Sequence, residues 1–269
     1  MSKNVKDLLS LKDKVAVITG GAGWLGSAMT EALAEAGART VVVDCNAQAV
    51  KQVCERLAKK ELNVTGVTAD VMQEESIRES IDHIAEDCGR IDVLVNGVVV
   101  PAAADLEHMT MENFEKGYRN SGAYAIACQQ CVRHMRKVGG GSIINIASMY
   151  GMVTSYPEVY KGVSDPCPVT YCADKAGVIQ MTRYMAVYWA KDKIRVNSIS
   201  PGAFPNREKM EYSNNPKMDL FLERLAEKSP LGRIGQPWEL KGAVVFLASG
   251  AASFLTGQNI VIDGGWTIW

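Results

Sequence analysis

Short apolar runs alternate along this chain with longer segments in which hydrophobic residues return every three or four positions. The runs KVAVIT, RTVVVD, NVTGVT and IDVLV are rich in β-branched residues and continuous rather than alternating, which is the pattern of strands buried on both faces. They predict strands at 14–19, 40–44, 63–68 and 91–95, and the periodic stretches between them predict helices at 24–36, 47–60 and 74–88. The alternation continues with a long helix over 111–137, a strand in GSIINIAS, a helix from about 170 to 191, and a strand in IRVNSIS. A helix over 237–249 and a strand in QNIVIDG complete it. Strands interleaved with helices imply a parallel sheet covered on both faces, so the expected fold is α/β: one doubly wound Rossmann domain over residues 1–269 with about seven strands. Residues 1–12 read as an N-terminal arm, and 152–169 and 202–230 as segments that cover a pocket.

Composition narrows the class of function. With 269 residues, 47% of them hydrophobic, and a net charge of -1, the chain has enough apolar material for one large core and no basic excess to attract nucleic acid. No apolar run reaches bilayer length and MSKNVKDLLSLKD lacks the apolar centre of a secretory signal, so a cytoplasmic location is expected. Seven scattered cysteines show no paired metal-ligand spacing, and the C-x-x-C of Cys128 and Cys131 falls in a helical stretch without a second pair or a histidine cluster; reduced thiols and no metal site follow.

The first strand runs into GAGWLGSAMTEALAEAG, a glycine turn that opens a helix. Gly21, Gly23 and Gly26 have the spacing that lets a backbone approach a pyrophosphate, and the start of the helix offers free N–H groups and a positive dipole end. The second strand ends in Asp44, at the distance where an acidic residue reaches a ribose. Its carboxylate can accept hydrogen bonds from the adenosine ribose hydroxyls and would repel a 2′-phosphate, while the neighbouring Cys45 and Asn46 offer no cation. NAD is therefore expected rather than NADP. Tyr171 and Lys175, four apart, share one face of the predicted 170–191 helix and place an ammonium beside a phenol, which should lower the phenol's pKa toward the range useful for acid/base catalysis. Asp44, Asn96, Ser148 and Pro201 fall at the carboxyl ends of predicted strands, where such sheets bind ligands.

These segments together resemble the short-chain dehydrogenase/reductase family over nearly the whole chain: TGGAGWLG, Asp70 in TADV, DVLVN, the run from Asn120, NIASMYG, YCADK, RVNSISPG, and PLGRIGQPWELKGAVVFLAS followed by LTGQNIVIDGG. The resemblance implies Tyr171 as general acid/base, Ser148 as hydrogen-bond partner of the substrate oxygen, and Lys175 as the group that both lowers the tyrosine's pKa and binds the nicotinamide ribose. Asn120 would hold a water connecting the lysine to solvent. Implied cofactor contacts are Gly20, Gly23, Trp24, Leu25 and Gly26 in the turn, then Asp44, Asp70, Val71, Asn96 and Gly97, and finally Pro201, Gly202 and Phe204 with Tyr171 and Lys175. The implied chemistry is reversible hydride transfer between a nicotinamide and an alcohol carbon of a small-molecule substrate. A homotetramer or homodimer is implied too, with the apolar ending Trp266, Ile268 and Trp269 suited to an interface.

Several positions depart from the family pattern. Trp24 stands where the turn usually has glycine, and a bulky residue avoids positive φ, so a local rearrangement is expected there. The asparagine-alanine-glycine run reads Asn96, Gly97, Val98, and the usual carboxamide-binding threonine reads Asn206. The stretch between Ser148 and Tyr171 is longer than is common and carries Tyr156, Glu158, Tyr160, Lys161 and Asp165, a mixture that suits a sugar, sugar acid or polyol. That stretch and the GGWTIW ending are loosely similar to gluconate 5-dehydrogenase-like and sugar-modifying members. The expected function is an NAD-dependent alcohol or sugar dehydrogenase. A 3-oxoacyl thioester reductase, which would want a basic residue near the adenosine phosphate, and a non-catalytic NAD-binding regulator are the alternatives.

Overall fold

The computed structural model describes residues 4–100, 106–206 and 216–269. Positions 1–3 of the expected N-terminal arm and 207–215 of the 202–230 segment lie outside the described residues. Seven parallel strands form one sheet in the order β3-β2-β1-β4-β5-β6-β7. The strands are β1 (Val15–Thr19), β2 (Arg39–Asp44), β3 (Val64–Thr68), β4 (Val93–Asn96), β5 (Gly141–Ile146), β6 (Ile194–Pro201) and β7 (Asn259–Ile262). Between and around them lie α1 (Val5–Leu9), α2 (Trp24–Glu35), α3 (Ala47–Ala58), α4 (Glu74–Cys88), α5 (Met111–Lys137), α6 (Pro157–Tyr160), α7 (Val169–Trp189), α8 (Pro216–Lys228) and α9 (Lys241–Ala248).

Period-2 side-chain alternation explains why the inner strands are apolar throughout. Val17, Val41, Leu94, Ile143 and Val196 point to one face and pack with α4, α5 and α7, while Ala16, Ile18, Val42, Val93, Ile144 and Ile199 point to the other and pack with α2, α3 and α9. β3, at the edge, has its side chains mostly exposed or half-buried. The strand order reverses between β1 and β4, and the crevice beyond the strand ends at that switch point is where doubly wound sheets bind ligands.

Most predicted elements fall within a residue or two of the observed ones. The expected 237–249 helix divides into a 3-10 turn at Pro237–Leu240, with Pro237 in its first turn, and α9. Two helices in the expected pocket segments were not predicted: α6, and α8, whose Met218, Phe221 and Leu225 lie on one buried face. They form a satellite core with Met149, Tyr150, Tyr160, Ile234 and Trp266 beside the strand ends. Trp266 is therefore buried within its own chain, whereas Ile268 and Trp269 are exposed. Among the described residues no helix is long and apolar enough to cross a membrane.

Candidate active site

The carboxyl ends of β1, β2, β4, β5 and β6 open onto one cavity of about 490 Å³. It is lined by Gly20, Gly23, Trp24, Leu25 and Gly26 from the glycine turn, by Asp44, Asp70, Val71 and Gly97, by Ser148 and Tyr171, and by Pro201, Gly202 and Phe204. All of these were expected as site residues from the sequence. Asn96, Asn120 and Lys175, expected with them, do not reach the cavity surface and sit behind its wall.

The turn is built for close approach of a ligand. Gly20 adopts φ 68°, and a Cβ on Gly26 would lie 2.0 Å from the carbonyl oxygen of Gly20, so the first turn of α2 can close on the strand end only without a side chain there. The positive φ falls on Gly20, and Trp24 is simply the first residue of α2. The rearrangement expected at Trp24 is thus not needed: a helical residue there pays no left-handed strain. Gly23 provides no side-chain cap, which leaves the N–H groups of the first turn of α2 without a side-chain acceptor at the cavity. Asp44 is held by this turn, its carboxylate accepting the N–H of Ala22 at 3.3 Å and of Asn46 at 3.1 Å. Asp70 is fixed likewise by the N–H of Met72 at 2.9 Å. Among the described residues two carboxylates and no lysine or arginine line the cavity. Gly-turn, uncapped helix start and strand-end carboxylate fit the pyrophosphate and ribose of a nicotinamide dinucleotide.

At the opposite end of the cavity, Ser148 follows β5 in an extended conformation and caps the 3-10 turn Met149–Gly151, its hydroxyl oxygen accepting the N–H of Tyr150 at 3.2 Å. Tyr171 comes from the first turns of α7. Burial pushes its phenol up to about 12, and a hydrogen bond with Ser148 works in the opposite direction. Lys175, one turn further on, is fully buried; burial pulls its ammonium down to about 8, against the favourable charge of Asp174. Its Nζ donates to the carbonyl of Ile146 at 2.8 Å and stands 5.3 Å from the ring centre of Tyr124 and 5.8 Å from that of Tyr171. The expectation of a phenol lowered by Lys175 is corrected here: desolvation is the largest influence on Tyr171 and raises it, and the group that works to lower it is Ser148.

Behind this pair, Asn120 on α5 is buried, with its amide oxygen accepting the N–H of Val100 at 2.7 Å and its amide nitrogen donating to the carbonyls of Val100 at 3.3 Å and Gly117 at 3.4 Å. It ties the chain after β4 to the long helix. Asn96 donates to Asn145 at 2.9 Å and to the Cys128 sulfur at 3.2 Å, bracing β4 against β5 and α5 from inside the sheet. Sequence reasoning missed Tyr124, whose hydroxyl has the carbonyls of Val98 at 2.9 Å and Ile146 at 3.3 Å as acceptors for its one proton, and Asp174, which is fully buried beside Lys175 in the chain. The signal for Asp174 was its place three residues after Tyr171, on the same helical face.

The segment between Ser148 and Tyr171 folds against the protein instead of offering all its polar groups to a substrate. The hydroxyls of Tyr150 and Tyr160 meet at 2.5 Å inside the satellite core, and the Tyr160 ring packs on Phe221. Glu158 and Lys161 pair at 3.6 Å on the exposed surface, and Tyr156 lies under the Lys228 ammonium. Asp165 of the expected polar set lines a cavity beside the start of α7, together with Ser155, Cys167 and Cys172.

A sequence profile for the family described as enoyl-(acyl carrier protein) reductase matches residues 21–267. D-threitol dehydrogenase of Mycolicibacterium smegmatis is 34% identical over 260 residues, covering 96% of this chain and 94% of that protein. NAD-dependent glycerol dehydrogenase of Listeria innocua is 32% identical, covering 96% of both chains. The crystal structure of a gluconate 5-dehydrogenase from Burkholderia cenocepacia in complex with NADP and tartrate superposes with a TM-score of 0.85 at 30% identity, covering 98% of this chain and 99% of that one. On this match and on the fold, the chain belongs to the short-chain dehydrogenase/reductase family, oxidoreductases that act on alcohol groups with a nicotinamide cofactor.

Proposed function

We propose that this protein is an NAD-dependent dehydrogenase that interconverts a secondary alcohol and a ketone on a sugar, sugar acid or polyol. The observation that carries the reading is the cavity itself, with the Ser148 and Tyr171 hydroxyls at one end, Asp44 and Asp70 toward the other, and no lining cation among the described residues. When bound, the nicotinamide supplies the hydride acceptor or donor. The chain's own residues do the rest: Ser148 holds the substrate oxygen by hydrogen bonding, and Tyr171 Oη exchanges a proton with that oxygen. Lys175, held by Ile146 from behind, is the cation that stabilises the phenolate. Asn120 fixes the wall through Val100, and Asn96 braces the sheet beneath it. The preference for NAD rests on Asp44, whose carboxylate, held by the Ala22 and Asn46 amides at the cavity, would repel a 2′-phosphate.

Relatives support the substrate class by what they act on: threitol and glycerol dehydrogenases are polyol enzymes, and the gluconate 5-dehydrogenase binds NADP and tartrate. That NADP complex is the reason the cofactor preference needs its own measurement. Exposed Tyr184, Val187 and Tyr188 on α7 and Phe254 near β7 support a homo-oligomer, the state we assign. The test is turnover, followed by nicotinamide absorbance, with NAD and NADP against aldonates, polyols and simple secondary alcohols. A thioester reductase would turn over 3-oxoacyl substrates with NADPH instead.

A further inference from the structure

Phe204 follows Pro201 and Gly202 at the end of β6 and lines two cavities. One is the cavity of the candidate site; the other, of about 410 Å³, is also lined by Leu231, Gly235, Ile262 and Ile268. Phe204 is the residue the two linings share, so it forms the wall between them. In the sheet β6 lies beside β5 and far from β2, which places this wall at the Ser148 and Tyr171 end of the cavity, away from Asp44. With the adenosine ribose at Asp44, the nicotinamide lies at this end.

The ring is seated on Gly235. A Cβ there would lie 2.5, 2.6 and 2.7 Å from Cε1, Cζ and Cδ1 of Phe204, so one edge of the ring lies across the bare Cα. Gly235 does not have a positive φ, and its backbone therefore makes no demand for glycine. The ring does. Neither backbone can step aside to admit a side chain: the Gly235 N–H donates to the carbonyl of Ala203 at 2.9 Å, and the Gly202 N–H to that of Ile262 at 2.9 Å. Around Gly235, Arg233 pairs with Glu239 through two contacts of 2.7 Å, and the Gln236 N–H donates to Glu239 at 2.8 Å, closing the segment on itself. The part free to yield is the ring. Gly235 lines the second cavity and not the first, so a ring pushed off its seat moves toward the first.

We propose that Gly235 is a positioning residue that acts through Phe204: its missing side chain seats the ring and so keeps the nicotinamide end of the cavity open. The proposal rests on the reading of this cavity as the cofactor site, and its test needs no substrate. Gly235→Ala should weaken NADH binding by at least about fivefold, read by nicotinamide fluorescence. ADP-ribose, which keeps the adenosine and diphosphate and lacks the nicotinamide, should bind the variant as it binds the parent, read by calorimetry. Adding Phe204→Val removes the ring that meets the new methyl and should restore the parent's ratio of the two affinities. Phe204→Trp enlarges the ring on an unaltered seat; it should reproduce the selective loss, and it carries the test if Gly235→Ala does not fold. Parent-like NADH affinity in the folded variant, or equal losses of NADH and ADP-ribose, would overturn the proposal. A parent that binds neither ligand would overturn the cofactor reading, and the proposal with it.

Discussion

Lys175 Nζ donates to the carbonyl oxygen of Ile146 at 2.8 Å, the last residue of β5 and two positions before Ser148. One hydrogen bond thus couples the helix that carries Tyr171 to the strand end that leads into Ser148. It also buries an ammonium whose folded-state pKa, about 8, lies below that of an ordinary lysine.

The sign of that shift fixes a stability prediction. The folded state holds its Lys175 proton more weakly than the unfolded chain, so below pH 8 the full cost of burying the charge is present, on the order of 3 kcal/mol. As pH rises through the folded value toward the unfolded one the cost is relieved. The stability of the parent relative to Lys175→Met should therefore rise between about pH 8 and 10, whatever the fixed cost of losing the Ile146 hydrogen bond; denaturant unfolding at a series of pH values measures it.

The glycine turn predicts a second outcome. Gly26→Ala puts a methyl 2.0 Å from the Gly20 carbonyl oxygen, a backbone atom that cannot step aside. The variant should lose about 1–3 kcal/mol and bind NAD at least tenfold more weakly, read by thermal unfolding and by titration of NADH fluorescence.

Asp44→Ala removes the acceptor for the Ala22 and Asn46 amides together with the negative charge. NAD affinity should fall by roughly tenfold or more, and discrimination against NADP should shrink, because the repulsion is gone while one hydrogen-bonded contact of about 1–2 kcal/mol is lost. Cofactor KM values for both dinucleotides decide it.

Much of this was legible before any coordinates. Strands buried on both faces show as unbroken apolar runs, and the glycine spacing, Asp44 and the Tyr171/Lys175 interval are local features that survive folding unchanged. What sequence could not give was direction. Asn96, Asn120 and Lys175 sit at the expected places in the chain, yet packing turns them behind the cavity wall, where they bond Asn145, Val100 and Ile146. Tyr160 reads as a polar pocket group and is consumed by Tyr150, because the partner that buries it comes from α8, far along the chain. The phenol's pKa was misjudged for the same reason: the interval shows the neighbouring lysine but not the desolvation.

The tyrosine pair gives its own prediction. Tyr150→Phe or Tyr160→Phe leaves one buried hydroxyl without its partner and should cost about 1–3 kcal/mol, whereas the double variant should cost less than the two added together. A double-mutant cycle by chemical denaturation reads that coupling.

The central claim, proton exchange at Tyr171 in an NAD-dependent alcohol oxidation, is tested most directly by nicotinamide absorbance during incubation with NAD and a panel of polyols and aldonates, parent beside Tyr171→Phe. NADH should form with the parent, and kcat should fall at least about 100-fold in the variant with NAD binding retained. Comparable turnover by Tyr171→Phe, or turnover by the parent with NADP alone, would contradict it.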